Sequence, residues 1–312
     1  MNGNQGSNGN PAVQNGGESA AEDGFDGFTG FCPRNPVKTV IVGSTGRMGA
    51  MLLARAKAAG LNVAGVDVPL TPETLAPACS GADLAIICVP AAVFSEVIAT
   101  VCPHLLPGAV LADITSVKEI PLQQMKKAWA GSVVGTHPLF GPKPDPQADQ
   151  PVAIVPGGQA QQSHVELTSG FFTALGCRVF CTTAEKHDKA MASIQNMNFI
   201  TSLAYFALLA EHEDLLPFLT PSFRRRQNAA RKMLTEDARM FAGLFEANPY
   251  SYEAVRQYRQ MLNLAAAGDI DLLCQRARWW WREDADHEKT YYTHGKTRFG
   301  SARLVAWRGL MP

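Results

Sequence analysis

The sequence predicts an α/β protein: a doubly wound parallel sheet followed by an all-helical domain. Three observations lead there. Short apolar runs recur from residue 37 to residue 183 and alternate with stretches of helical spacing, the pattern of parallel strands joined by helices. Beyond residue 183 the strand-like runs cease, and apolar residues continue at helical spacing as far as "CQRARWWWRE". The chain has 312 residues, 46% of them hydrophobic, enough for a sizeable core in two domains or one large one.

Residues 1–35 are rich in Gly, Asn, Ser and acid with little to bury, which predicts a disordered tail. "VKTVIVG" (37–43) opens the sheet as a buried strand, and "RMGAMLLARAKAAG" (47–60) follows as a helix. "NVAGVDV" (62–68) is the second strand. In "TPETLAPAC", Thr71 is placed as an N-cap and Pro72 as the first helical residue. "LAIICV" (84–89), "AVLADI" (109–114), "SVVGTH" (132–137), "VAIVP" (152–156) and "RVFCTT" (178–183) supply the remaining strands. This sheet domain spans 36–183. Next, "TAEKHDKAMASIQNMNFITSLAYFALLAEHE" reads as one long helix, with Thr182 and Glu185 spaced for a capping box. The helical domain covers 184–285, and the polar residues 286–312 are assigned to a C-terminal tail. "WWWR" (279–282) is read as core or dimer contact.

Lys+Arg and Asp+Glu stand at 28 each, so the net charge is zero. That argues against nucleic acid or a membrane surface as partner. No apolar run is long enough to span a bilayer, and the N-terminus lacks the basic-then-apolar pattern of a signal peptide. Cys32, Cys79, Cys88, Cys102, Cys177, Cys181 and Cys274 form no CxxC pair, which suits reduced thiols in a cytoplasmic protein. Cys177 and Cys181 flank a strand but lack four-ligand spacing, so no metal site is expected.

The first strand runs into "GSTGRMG", with glycines at 43, 46 and 49 and a helix after it. Small residues there let backbone approach a pyrophosphate, and the helix N-terminus offers free N–H groups. In the usual GxGxxG register Ser44 takes the first glycine's place, with Gly43 before it, then Thr45, Gly46, Arg47, Met48 and Gly49. The second strand carries Asp67, 18 residues after Gly49, where an acid accepts hydrogen bonds from ribose hydroxyls and repels a 2′-phosphate. The cofactor expected is therefore NAD, although Arg47 could favour a phosphate, and Asp67 alone could be a solvated acid. Val89 and Pro90, at the end of the third strand, complete the nucleotide-facing set.

Ligands of such folds bind beyond the carboxyl ends of the strands. "CVP" (88–90), "DITSVK" (113–118) and "GTHP" (135–138) all end there, so Ser116, Lys118 and His137 are expected to converge. A neutral imidazole can accept a proton from an alcohol whose hydride leaves for a cofactor, and a serine nearby can orient that imidazole or hydrogen-bond the same oxygen. A His-Pro turn and a serine cap are equally compatible with these residues in isolation.

Taken together, "VIVGSTGRMG", "ADLAIICVP", "LADITSVKEIPLQQM", "VVGTHPLFGP", "EKHDKAMASIQNM" and "TPSFRRRQNAARKMLTEDARMF" carry a resemblance. From about residue 37 to 285 the chain resembles the prephenate/arogenate dehydrogenase family of tyrosine biosynthesis, in particular the dehydrogenase half of the bacterial chorismate mutase–prephenate dehydrogenase type. The resemblance implies a Rossmann domain binding NAD and a helical domain that forms a homodimer and contributes to the substrate site. It implies that His137 contacts the reacting hydroxyl, supported by Ser116. It also implies a substrate-binding arginine on the "FRRRQNAARK" helix two turns after another: Arg224 fits the earlier place, and Lys232 with Arg231 beside it the later one. Gln195 is a further candidate. The implied reaction is oxidative decarboxylation of prephenate to 4-hydroxyphenylpyruvate, with arogenate as the alternative small-molecule substrate. A distant alternative is a non-catalytic NAD-binding sensor. No mutase-like helical segment precedes the sheet, so mutase activity is not expected. Phe199 stands where the fused relatives have a histidine, which leaves substrate contact and tyrosine feedback there open.

Overall fold

The structure, a computed structural model, describes residues 37–281. The tails expected at 1–35 and 286–312 lie outside the described residues. Among the described residues there are seven strands: β1 (Lys38–Val42), β2 (Asn62–Val66), β3 (Leu84–Ile87), β4 (Val110–Asp113), β5 (Val133–Pro138), β6 (Pro151–Pro156) and β7 (Arg178–Cys181). Between them run α1 (Arg47–Ala58), α2 (Pro72–Cys79), α3 (Ala91–Val101), α4 (Glu119–Ala128) and α5 (Gln162–Ala174). The strand order is β2-β1-β3-β4-β5-β6-β7.

The middle strands are Val-, Ile- and Leu-rich because both sheet faces are covered. Val40, Val42, Ala85, Ile87 and Leu111 pack with Leu75 of α2, Phe94 and Ile98 of α3, and Leu122 and Met125 of α4. The alternate residues Ile41, Leu84, Ile86, Val110 and Ala112 pack with Leu52 of α1 and Phe171 and Phe172 of α5. That is a doubly wound, three-layer arrangement, with period-two alternation deciding which side chain enters which core.

One pair departs from the expected all-parallel sheet: β5 and β6 are antiparallel, with Thr136 opposite Ile154. A parallel return needs a crossover, normally a helix. The 139–150 connection contains none, so the chain doubles back, and α5 then restores a parallel β6–β7 pair.

Thr71 and Pro72 start α2 as expected, with Thr71 N–H donating to Thr74 Oγ1 at 3.0 Å. The predicted Thr182–Glu185 capping box does not form. Thr183 is the N-cap of α6 (Ala184–Met191), its Oγ1 accepting from Lys186 N–H at 3.2 Å. The long helix is also not uniform, since a π-turn at Ala192–Asn196 separates α6 from α7 (Met197–Leu208). Then come α8 (Pro221–Thr235), α9 (Ala238–Ala247), α10 (Ser251–Ala266) and α11 (Ile270–Ala277). Phe199 is buried and stacks on Phe241 with centroids 5.6 Å apart, so it serves the helical core. Trp279, Trp280 and Trp281 are exposed, against the core reading of that run; Arg282 lies outside the described residues. No described helix is long and apolar enough to cross a membrane.

Candidate active site

Parallel register levels the strand ends. Val42 lies opposite Ile87, Ile87 opposite Asp113, and Asp113 opposite Gly135. Segments 43–49, 88–90 and 114–118, together with His137 at the end of β5, therefore gather along one edge of the sheet.

The glycine loop is built for close approach. Gly43 has φ +83°, and a Cβ there would sit 2.5 Å from the Cys88 carbonyl oxygen. A Cβ on Gly49 would sit 2.1 Å from the Gly43 carbonyl oxygen, so neither position has room for a side chain. Gly46 is the N-cap of α1, and Arg47 and Met48 are its first residues, whose N–H groups have no intrahelical acceptor. Those donors, with the positive end of the helix dipole, suit an anion. Ser44 is buried, and Pro90 is the N-cap of α3 with Val89 before it.

Asp67 follows β2 and is tied to this loop. Thr45 donates to Oδ2 from both N–H and Oγ1, each at 2.7 Å, and Val68 N–H donates to Oδ1 at 2.8 Å. Burial pushes the Asp67 carboxyl up, but these donors outweigh it and hold the group below its ordinary value. Arg47 is engaged elsewhere: its Nη1 lies 3.1 Å from Asp237 Oδ1. A glycine cradle, free helix N–H groups and an ionised acid at the end of the second strand together fit a dinucleotide.

His137 is 4% exposed, and its Nδ1 lies 2.9 Å from Nε2 of His187, itself buried on α6. His187 Nδ1 lies 2.7 Å from Asp188 Oδ1. Burial first, then electrostatic interaction with His187 and Lys118, holds the His137 pKa well below its ordinary 6.5, so the ring is neutral near pH 7.

One expectation is narrowed here and another corrected. Ser116 is partly buried on its loop but forms no hydrogen bond with His137; the partner is His187, delivered from the helical segment. Lys118 does not face the cleft. It is fully buried, its Nζ donating to Asp113 Oδ2 at 2.5 Å and to the Thr136 carbonyl at 2.6 Å. A lysine in an apolar sheet edge needs a carboxylate, and Asp113 at the end of β4 supplies it.

Of the remaining candidates, Arg224, Arg231 and Lys232 are exposed on α8. Lys232 lies 3.9 Å from Asp237, the carboxylate that also binds Arg47, so this end of α8 stands beside the glycine loop. Arg224 and Arg231 form no ion pair among the described residues. Gln195 is partly buried within the π-turn, a feature common at functional sites. The buried-amide role falls to its neighbour: Asn196 Nδ2 donates to Ser251 Oγ at 2.9 Å.

Residues 52–181 match the family described as prephenate dehydrogenase, nucleotide-binding domain. The T-protein of Enterobacter agglomerans is 30% identical over 299 residues, covering 91% of this chain and 77% of that protein. The chain belongs to the prephenate/arogenate dehydrogenase family. This dehydrogenase, an oxidoreductase with a Rossmann-type nucleotide-binding domain, shares its fold with two solved enzymes. Synechocystis arogenate dehydrogenase superposes with a TM-score of 0.64 at 19% identity, over 81% of this chain and all of that one. Aquifex aeolicus prephenate dehydrogenase, solved with hydroxyphenyl propionate and NAD+, gives 0.62 at 17% identity, over 85% and 98% of the two chains.

The sequence reading of this dehydrogenase missed His187 and Asp188 as site residues. Their signal was weak but present: an adjacent histidine and aspartate in the first two turns of a helix, both of which turn out buried.

Proposed function

We propose that this protein is an NAD-dependent prephenate dehydrogenase of tyrosine biosynthesis, producing 4-hydroxyphenylpyruvate by oxidative decarboxylation. The observation that carries the reading is a neutral, buried His137 at the strand-end edge, its Nδ1 engaged by His187 and its Nε2 left for substrate. NAD, when bound, supplies the hydride acceptor. His137 Nε2 takes the proton of the C4 hydroxyl as hydride leaves C4, and Ser116 Oγ is assigned to the same oxygen. Loss of the C1 carboxylate as carbon dioxide then makes the ring aromatic, which drives the reaction. Residues 184–285 form the substrate and dimerisation domain in this reading; the exposed Leu208, Phe218, Trp280 and Trp281 support an apolar homodimer contact. A steady-state assay with prephenate and arogenate, each with NAD and NADP, tests it. Turnover of neither substrate with either cofactor rejects it, and a preference for arogenate rejects the substrate assignment.

Asp67 supports NAD because it presents a carboxylate beside the glycine loop. Asp67→Asn should weaken NAD and relax discrimination against NADP, measured as the ratio of kcat/KM values. Faster wild-type turnover with NADP contradicts the assignment.

Arg224, with Arg231 or Lys232, is proposed to hold a substrate carboxylate, since a guanidinium fork matches it. Alanine at the residue that does so should raise KM for prephenate by ~10- to 100-fold, the loss of a charge-assisted pair of ~1.5–3 kcal/mol. Unchanged KM in all three variants moves the carboxylate partner elsewhere.

A further inference from the structure

His137, His187 and Asp188 form a buried chain, and with both rings neutral the chemistry of its members gives a direction to every hydrogen bond in it. Asp188 is fully buried. Its Oδ1 accepts from Lys118 N–H at 2.8 Å and its Oδ2 from Glu119 N–H at 2.9 Å. These are the N-cap and first residue of α4, so the carboxylate sits on a helix N-terminus, where an anion is favoured. Asn248 Nδ2 donates to the Asp188 main-chain oxygen at 2.8 Å, so the α9–α10 connection pins the same residue. An ionised carboxylate is an acceptor only. His187 Nδ1, 2.7 Å from Oδ1, must therefore be the donor. A neutral imidazole carries one proton, so His187 Nε2 is an acceptor. His137 Nδ1, 2.9 Å away, must then donate to it. That leaves one nitrogen of His137 without a proton: Nε2.

We propose that His187 and Asp188 are positioning residues that fix the tautomer of His137, holding its Nε2 bare for the substrate hydroxyl. The proposal rests on His137 being the base and adds what makes it one. Its balance is simple. The substrate O–H bond breaks and an N–H bond forms at Nε2, while hydride leaves carbon for the nicotinamide and the oxygen's electron pair completes the C=O bond. The proton on Nδ1 can then pass to His187 Nε2, where the resulting cation lies against the Asp188 carboxylate. A buried imidazolium is thereby kept from standing alone in an apolar site. The carboxylate that orients a catalytic histidine in serine hydrolases works by the same logic. Here a second imidazole stands between the two.

The structural alternative is that Asp188 caps α4 and His187 only fills space. A tautomer measurement separates the two. Full-length protein carrying 15N-histidine, without ligand, is examined by long-range 1H–15N correlation near pH 8, with His137 assigned by the signal missing from His137→Asn. The wild type should show His137 protonated on Nδ1 and bare on Nε2. In Asp188→Asn the amide can donate to His187, reversing both bonds and moving the His137 proton to Nε2. In His187→Gln the new amide N–H can donate to His137 Nδ1 with the same result, and this variant leaves the α4 cap in place should Asp188→Asn fail to fold. In each folded variant kcat should fall by ~10²–10⁴-fold with KM changed far less. A wild-type His137 carrying its proton on Nε2 overturns the proposal even if His137 remains the base. So does an unchanged tautomer in the folded variants. Near-normal turnover in His137→Asn instead removes the base itself, and the proposal with it.

Discussion

Replacing His137 by asparagine should leave a folded protein whose kcat is lower by ~10²–10⁴-fold, the range for a positioned acid–base group. Asparagine suits the test because its amide can still donate toward His187 Nε2, so the buried contact at 2.9 Å has a successor while the proton acceptor is lost. KM should change far less than kcat, since the imidazole acts mainly as the proton moves. The pH profile adds a second check. The base must be neutral to work, and burial, His187 and Lys118 hold its pKa well below 6.5. The acid limb of kcat/KM should therefore lie below the ordinary imidazole range, and it should be absent from the residual activity of His137→Asn. Stability follows the same sign. The unfolded chain takes up this proton near pH 6.5 and the folded chain only at lower pH. The contribution of His137 is full above that value and is lost as pH falls through the folded-state pKa. A variant retaining near-wild-type turnover would remove His137 from the chemistry.

Asp113→Ala should be the most destabilising of the single changes considered, by about 3–5 kcal/mol, the range for breaking a buried ion pair. Asp113 and Lys118 are both fully buried, with Nζ and Oδ2 2.5 Å apart. Truncating the carboxylate leaves the ammonium with the Thr136 carbonyl and Thr115 Oγ1. It also orphans the Thr115 and Thr136 N–H groups, which donate to the two carboxylate oxygens. Burial already drives the Lys118 pKa down against the pull of Asp113, so losing Asp113 takes away the largest force keeping it charged. The double variant Asp113→Leu with Lys118→Met should recover much of the loss, because no charge is then stranded. Thermal and urea unfolding of wild type, Asp113→Leu, Lys118→Met and the double variant forms the cycle. A single variant within ~1 kcal/mol of wild type would show that the pair does not frame the site. The expected catalytic consequence is indirect, since Thr136 immediately precedes His137 on β5.

The sequence by itself determined the seven strands, the glycine loop, Asp67 at the end of the second strand and the place of His137 at the end of the fifth. Each is a local matter. Period-two burial marks strands such as Val40–Ile41–Val42, and a Cβ at Gly49 meets the Gly43 backbone within the same turn. Tertiary structure alone decided the rest. The β5–β6 pair is antiparallel because of what the 139–150 connection lacks, and no residue pattern announces that. Lys118 looked like a cleft residue until the end of β4 placed Asp113 against it. His187 meets His137 across 50 positions, and Asp237 meets Arg47 across 190. Periodicity and turn chemistry act over a few residues, whereas a proton acceptor is defined by what lies against its other nitrogen. For His137 that neighbour arrives on a helix from beyond the sheet, and only packing brings it there.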